Sequence, residues 1–325
     1  MLSDVGAYLI QKGWVSDGAK VDVTPLSGGV SNDVWKIAGE NFCWVMKQAL
    51  PKLKVDADWY SDVGRIEREQ AAMLALEPLL PPGTIPKIVH QDPEAHVYVM
   101  TCAPDEAECW KDQLMSGNMA IETARAVGRL LHMVHDRSRA QSAALRPDFG
   151  DLRYFYELRI DPFHRTLSDR HPSLAPAIAA LIDELTNEGE CLVHGDYSPK
   201  NILVMPDRGA RDDALILLDY EVAHWGNPVF DQAYCCGHLM LKGWALDMKS
   251  EAAAMIDAFL AGYGGPCDGL LKHLGLMLLA RIDGKSTVPY ITDPWLKEMI
   301  RSVGSDWIVR GGSDPAAGIR LAFAS

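Results

Sequence analysis

The chain has 325 residues, of which 48% are hydrophobic and 23% are charged, and its formal net charge at neutral pH is −13. The length predicts one large domain or two unequal ones, and the composition is that of a globular protein with a sizeable core. The acidic balance argues against a nucleic-acid partner, whose phosphates require a basic surface, and it suits either a cationic substrate or simple solubility.

The compartment is predicted from the amino-terminal stretch, the apolar runs and the cysteines. MLSDVGAYLIQKGWV carries an acid near its start and has no basic lead into an apolar run, unlike a secretory signal. No apolar stretch approaches the ~18 residues of a membrane span. The seven cysteines have no regular spacing, so we expect free thiols in a reducing cytosol rather than disulfides or a zinc site. We therefore predict a cytoplasmic protein that does not bind membranes.

The first hundred residues are predicted to form a small sheet with one helix. VTPLSGGVSNDVWKIA (23–38) has the pattern of strand, glycine turn and strand, and NFCWVMKQAL (41–50) that of a further strand. In DVGRIEREQAAMLALEPLL (62–80) the apolar residues fall on or near one helical face, and a Pro-Pro-Gly sequence ends the helix. KIVHQDPEAHVYVM (87–100) then predicts two strands about a turn.

Beyond about residue 110 the periodicity becomes mostly helical and includes one polar hairpin. The predicted helices are 119–138, 173–188, 232–248, 250–264 and 269–282, and the strand-like runs are 191–196, 201–205 and 214–221. We therefore predict an α+β fold of two lobes, a small β-rich one over 1–103 and a larger, mostly helical one over 104–325. A cleft between unequal lobes is a natural ligand site.

The polar hairpin carries residue types suited to phosphoryl transfer. In LVHGDYSPKNILV (192–204), Asp196 lies between two apolar strands, Asn201 follows five positions later, and the next strand ends at Asp219. Transfer of a phosphoryl group from ATP requires a carboxylate beside the attacking hydroxyl and ligands for Mg²⁺. Asp196 is the candidate carboxylate, and Asn201 and Asp219 supply oxygen ligands suited to this hard cation.

The reaction also requires a cation on the nucleotide, and Lys47 in the third predicted strand is the candidate. A lysine in an apolar strand is costly unless it is paired, and a helix glutamate is the expected partner. Glu67 and Glu69 are about 200° apart around the helix, so only one faces the cleft. Because Glu69 shares its face with Met73 and Leu76, we predict Glu69.

Together these motifs resemble those of the aminoglycoside phosphotransferase and choline kinase family, the small-molecule relatives of protein kinases. The resemblance extends from about Leu26 to Asp231. LVHGDYSPKNILV resembles the family's catalytic loop, LLDYE its metal-binding motif and WGNPVFDQAY the segment after it, in which Asp231 would brace the loop. The resemblance implies a bilobal protein-kinase-like fold, use of ATP and Mg²⁺, and phosphate transfer to a hydroxyl of a small molecule. Transfer of AMP, or nucleotide binding alone, is the alternative.

The same resemblance implies the nucleotide contacts in the small lobe. VYVMTCAP is similar to the strand and hinge that receive adenine, with Met100 at the rear and backbone groups of Thr101 and Ala103 on the base. LSGGVSN stands where the family has its phosphate flap, so that Ser27, Ser31 and backbone amides would hold the phosphates.

The acceptor is expected to be a small-molecule alcohol, and two classes stay open. Asp105, Glu106 and Glu108 favour a cationic acceptor such as an amino sugar, whereas Arg281 and Lys285 favour a sugar or an acid. The candidate substrate contacts are Glu221, Arg281 and Asp283, with Trp110, Trp225 and Tyr290 as candidates for the floor of a pocket.

Overall fold

The amino-terminal lobe is built on an antiparallel sheet. The computed structural model describes residues 4–26, 29–55, 58–187, 189–206 and 214–324. The strands of the sheet are β1 Asp22–Pro25, β2 Asn32–Gly39, β3 Phe42–Ala49, β4 Ile88–Asp92 and β5 Val97–Thr101. Their order is β1-β2-β3-β5-β4, so β3 is central, with Lys47 opposite Val34 on one side and Tyr98 on the other.

One amphipathic helix covers this sheet. Helix α2, Arg65–Leu76, buries Ile66, Met73 and Leu76 at helical spacing and contacts β3, β4 and β5. Glu69 lies on the same buried face. Glu69 is therefore buried because its position on the helix is on the same side as the apolar residues that pack into the core. A shorter helix, α1 Val5–Gln11, precedes the sheet.

The carboxy-terminal lobe is mostly helical. Its α-helices in the described ranges are α3 Trp110–Met115, α4 Ile121–Ala140, α5 Ser142–Phe149, α6 Arg153–Phe155, α7 Thr166–Arg170, α8 Ala175–Asn187, α9 Val229–Ala245, α10 Lys249–Tyr263, α11 Leu270–Asp283, α12 Pro294–Arg310 and α13 Pro315–Ala324. A π-helical segment, Tyr156–Arg165, joins α6 to α7. Within those ranges, none of the helices combines the length and the apolarity needed to cross a membrane.

Two glycines allow the central helices α4 and α10 to cross closely. A Cβ atom at Gly128 would collide with the carbonyl oxygen of Phe259, and one at Gly262 with that of Arg125. Side chains at these positions would therefore force the helices apart.

Short strands hold the polar hairpin between the helices. They are β6 Glu108–Cys109, β7 Cys191–Val193, β8 Ile202–Val204, β9 Leu215–Leu217 and β10 His224–Gly226. β8 pairs with β6 and β9, and β7 pairs with β10. The loop between β7 and β8 is consequently fixed at both ends, and its sequence is the polar stretch singled out above.

The architecture confirms the predicted α+β fold, with an antiparallel sheet first and helices after it. The helices predicted at 232–248 and 269–282 are α9 and α11, with ends shifted by a few residues. The carboxy-terminal helices α12 and α13 and the π-helical segment were not predicted.

The expectation that all the cysteines are free thiols is wrong for two of them. Cys43 and Cys102 form a disulfide, with their Cα atoms 5.3 Å apart. Cys43 lies near the start of β3 and Cys102 directly follows β5, and the pairing of Trp44 with Thr101 brings them together. A separation of 59 residues gives no sequence signal for this contact, because it depends on the register of two strands. Cys109, Cys191, Cys235, Cys236 and Cys267 are free.

Candidate active site

The loop after β7 is held by a buried aspartate on α9. Asp231 accepts hydrogen bonds from the backbone amides of His194 (2.7 Å) and Gly195 (2.9 Å), and its Oδ2 lies 3.1 Å from Nε2 of His135. Gly195 has φ of 77°, and a Cβ atom there would lie 2.7 Å from the carbonyl oxygen of Val222. The loop conformation therefore requires glycine at this position.

Asp196, the predicted catalytic carboxylate, is 3% exposed and surrounded by donors. Its Oδ2 lies 2.8 Å from Nζ of Lys200 and accepts a hydrogen bond from the Asn201 amide at 2.9 Å. Its Oδ1 lies 3.1 Å from Nη2 of Arg159. Burial would raise the pKa of Asp196, but Lys200 and Arg159 outweigh burial and hold the pKa well below its ordinary value. Asp196 is thus an ionised, oriented carboxylate.

His194 is a structural member of the loop. Its Nδ1 accepts the Asp196 amide at 3.1 Å and its Nε2 lies 3.0 Å from the carbonyl oxygen of Leu218. Since Nδ1 is the acceptor, the neutral ring carries its proton on Nε2. Burial lowers the pKa of His194, which favours this neutral form.

Lys47 pairs with two carboxylates. Its Nζ lies 2.7 Å from Oε1 of Glu69 and 3.2 Å from Oδ1 of Asp219. Glu67, the alternative partner on α2, instead lies 3.0 Å from Nδ1 of His96. Burial would lower the pKa of Lys47, but Glu69 and Asp219 raise it well above its ordinary value, so the lysine stays charged.

The two predicted metal ligands lie beside Asp196. Lys200 is 2.8 Å from Asp196 and 4.0 Å from Oδ2 of Asp219, so one ammonium bridges both carboxylates. The Asn201 amide nitrogen donates to Asp196, which turns the amide oxygen away from it. Asp219 has φ of 71°, a left-handed conformation that aspartate tolerates better than most residues. This is an oxygen donor set, which fits Mg²⁺.

The predicted nucleotide contacts lie on and after β5. Met100 is buried. The Thr101 amide donates a hydrogen bond to the carbonyl oxygen of Lys87, the residue that directly precedes β4, and the Thr101 hydroxyl accepts one from the Lys87 amide. Cys102 donates its amide to the carbonyl oxygen of Cys43. Ala103 is therefore the first residue beyond the strand ladder.

The predicted flap residues are only partly within the described chain. Ser27 lies outside the described residues. Ser31 is buried, its hydroxyl accepts a hydrogen bond from Asn32 at 3.2 Å, and its carbonyl oxygen accepts one from Arg65.

The candidate substrate residues do not form one group. Glu221 is buried and paired with Arg65, with Nε to Oε2 at 3.1 Å. Asp283 is committed to Arg301 at 2.8 Å and to His171 at 2.9 Å.

Arg281 lies elsewhere, with its guanidinium 5.7 Å from the centroid of the Phe163 ring. Asp105 is exposed and pairs with Lys36. Trp110 and Trp225 belong to the hydrophobic core.

Two cations of the site were missed from the sequence. Lys200 stands four residues after Asp196 within the loop motif, so its spacing was a usable signal. Arg159 lies on the π-helical segment, far from the loop in sequence, and its Nε donates to the carbonyl oxygen of Gly195 at 2.7 Å. No local pattern marks it.

The sequence is similar to known proteins over most of its length. Residues 22–274 match the model of the phosphotransferase enzyme family. Methylthioribose kinase of Citrobacter koseri is 26% identical over 226 residues, which are 61% of this chain and 54% of that protein. Methylthioribose kinase of Yersinia pseudotuberculosis is 27% identical over 269 residues, 74% of this chain and 64% of that protein. The chain thus spans between about half and two thirds of the length of these curated relatives.

The fold has counterparts among solved structures. A putative aminoglycoside phosphotransferase from Ralstonia eutropha superposes with a TM-score of 0.57 at 17% identity, over 99% of this chain and 97% of that one. This likeness confirms the predicted bilobal, protein-kinase-like fold.

Proposed function

The chain belongs to the phosphotransferase enzyme family, and from this premise we propose that it is an ATP-dependent kinase acting on a hydroxyl of a small molecule. The observation that supports this most is a continuous series of charged contacts, Glu69–Lys47–Asp219–Lys200–Asp196. It joins the sheet lobe to the polar loop of the helical lobe. Phosphoryl transfer depends on such positioned charges more than on covalent chemistry.

In this proposal the small lobe, residues 1–103, binds the nucleotide. Lys47 neutralises phosphate oxygens, and Glu69 keeps the lysine charged and oriented. Backbone groups of Thr101 and Ala103 contact the base in front of Met100. Ser31 and backbone amides near it, together with Ser27, hold the phosphates.

The larger lobe, residues 104–325, supplies the metal ligands and the reacting carboxylate. Asn201 and Asp219 would hold Mg²⁺, which when bound neutralises charge on the nucleotide phosphates. Asp196 accepts a hydrogen bond from the hydroxyl of the substrate alcohol and so orients the oxygen of that hydroxyl. Because Lys200 and Arg159 keep Asp196 ionised, it is ready to accept that hydrogen bond at neutral pH.

In the transfer step one bond to phosphorus forms and one breaks. The acceptor oxygen forms a bond to the γ-phosphorus, and the bond from this phosphorus to the bridging oxygen of ADP breaks. The hydroxyl proton passes to Asp196 late in the step and then to solvent. A cytoplasmic location follows from the proposal, since Mg·ATP is supplied there.

The experiment is ADP release from Mg·ATP with a panel of alcohols that includes amino sugars, neutral sugars, sugar phosphates and hydroxy acids. We expect turnover with at least one class and loss of turnover in Asp196→Asn. The mass of the product separates gain of one phosphate from gain of AMP, the alternative chemistry. Turnover that is identical in Asp196→Asn, or its absence with every alcohol, would reject the proposal.

A further inference from the structure

A row of polar residues on α9 continues along the helix from the loop-bracing Asp231. Tyr234, His238 and Lys242 recur every four residues and so share one helical face. Lys242 is 1% exposed, yet its hydrogen bond is only a long one, 3.4 Å, to the carbonyl oxygen of His238. In the described part of the chain no carboxylate forms an ion pair with it.

Arg281 on α11 adds a second cation to this row. Its Nη1 donates to the Ser286 hydroxyl at 3.0 Å, whereas its buried Nε has no hydrogen-bond partner among the described residues. Nε2 of His238 and the Tyr290 hydroxyl also have no hydrogen-bond partner among the described residues. Lys242 lies over the Tyr290 ring, 5.4 Å from its centroid.

The row begins at the predicted catalytic carboxylate. Arg159, 3.1 Å from Asp196, lies over the ring of Tyr234, which is 5.1 Å from the ring of His238. Two guanidiniums lie over the Phe163 ring, that of Arg159 at 5.6 Å and that of Arg281 at 5.7 Å from its centroid. Neighbouring side chains thus connect the predicted catalytic carboxylate with Lys242.

These cations are costly in the free protein. Burying an ammonium without an anion is unfavourable, and a nearby guanidinium adds repulsion. Burial, and then Arg281, lower the pKa of Lys242 from 10.5 to about 7. In a chain with a net charge of −13, folding does not explain why Lys242 and Arg281 form no ion pair with any carboxylate of the described residues.

We propose that Lys242 and Arg281, assisted by His238 and Tyr290, bind an anionic group of the acceptor. This inference rests on the proposed kinase function and narrows it to alcohols that also carry a carboxylate or a phosphate. An amino sugar would place its ammonium against these cations. The acids Asp105, Glu106 and Glu108 do not counter this, since all three are exposed, Asp105 pairs with Lys36, and Glu108 accepts a hydrogen bond from Gln113.

The test is calorimetric binding to the protein with its nucleotide site filled by a non-hydrolysable ATP analogue. The probes are glucose, glucose 6-phosphate, gluconate, glucosamine and inorganic phosphate, which separate neutral, phosphate, carboxylate and cationic ligands. We expect at least one anionic probe to bind and to weaken about tenfold or more in Lys242→Met and in Arg281→Gln. Lys36→Met, which removes a surface lysine on β2 that pairs with Asp105, is the control and should bind like the parent protein.

Equal affinity of the anionic probes for parent and Lys242→Met would overturn the proposal, as would tighter binding of glucosamine than of both sugar anions. So would a lack of anion binding at tens of millimolar, provided that circular dichroism shows the parent to be folded. Arg281→Gln covers the case in which Lys242→Met fails to fold. Lysine-dependent anion binding without ATP turnover on any probe would keep the anion site and reject the kinase function instead.

Discussion

Arg159 and Asp196 form a buried ion pair, Nη2 to Oδ1 at 3.1 Å, between the π-helical segment and the loop after β7. Arg159 also donates to the carbonyl oxygen of Gly195 at 2.7 Å, so one guanidinium fixes both the loop backbone and the carboxylate. π-Helical turns occur frequently at functional sites. Here the segment places a second cation beside Asp196, at the carboxylate oxygen opposite the one that Lys200 contacts.

Replacement of Arg159 is expected to reduce kcat more than it weakens nucleotide binding. Arg159→Met leaves Asp196 with Lys200 and Asn201 but removes the cation that is paired with its other oxygen, so we expect a fall in kcat of about 10- to 100-fold. Arg159→Lys keeps the charge without the planar fork and should recover only part of the rate. Steady-state ADP release and the Kd of an ATP analogue measure the two effects. A Kd that rises as much as kcat falls would contradict this assignment.

Removal of Lys47 is expected to weaken nucleotide binding. In Lys47→Met the phosphates lose their cation, and we expect the Kd of an ATP analogue to rise about 10- to 100-fold. Because the variant leaves Glu69 buried without its partner, Lys47→Met with Glu69→Gln separates binding from stability. Lys36→Met on β2 removes a surface lysine paired with Asp105 and is the control. Unchanged affinity in both Lys47 variants would reject the assigned role.

Lys242→Met is expected to stabilise the protein at neutral pH. The pKa of Lys242 is about 7 in the folded state, below its ordinary 10.5, so between these values the unfolded chain binds more protons and stability rises with pH. The cost of the charged lysine is therefore full below about pH 7 and vanishes near pH 10. We expect a gain of roughly 1–4 kcal/mol in the free energy of unfolding at about pH 6.5, shrinking as the pH rises.

Urea unfolding of both proteins across this pH range measures the difference, with Lys285→Met as control. A gain that does not change with pH, or a loss at every pH, would show that the lysine is compensated within the fold. The groups that act on it are Arg281, Lys111, Cys235 and Cys109, with His238 and Tyr290 in contact.

Reduction of the Cys43–Cys102 disulfide is expected to destabilise the sheet lobe. The bond closes a 59-residue separation, and loss of such a link costs about 2–4 kcal/mol. Thermal unfolding with and without a reductant should show a lower Tm for the reduced parent protein. The double variant Cys43→Ser, Cys102→Ser should be unaffected by the reductant, and a Tm that is the same in all conditions would contradict the expectation.

The predicted site residues that the structure brings together are those marked by local patterns in the sequence. Lys47 stands out as a charge in an apolar strand, and Glu69 as a charge on the buried face of α2. Asp196, Asn201 and Asp219 stand out because their spacing within one hairpin is fixed by the two strands that flank them. Of the charged contacts among these residues, the pairing of Lys47 with Glu69 was predicted from the sequence, whereas the contact of Lys47 with Asp219 was not.

The tertiary structure alone decided the contacts between elements that no local sequence pattern links. The disulfide depends on the register of β3 against β5, and the pairing of Arg159 with Asp196 depends on how the π-helical segment packs against the loop. From the sequence alone, Lys242 is predicted only to be one more residue of an amphipathic helix. Only packing shows that this lysine is buried without a carboxylate, because the partners of a buried charge come from other elements of the chain.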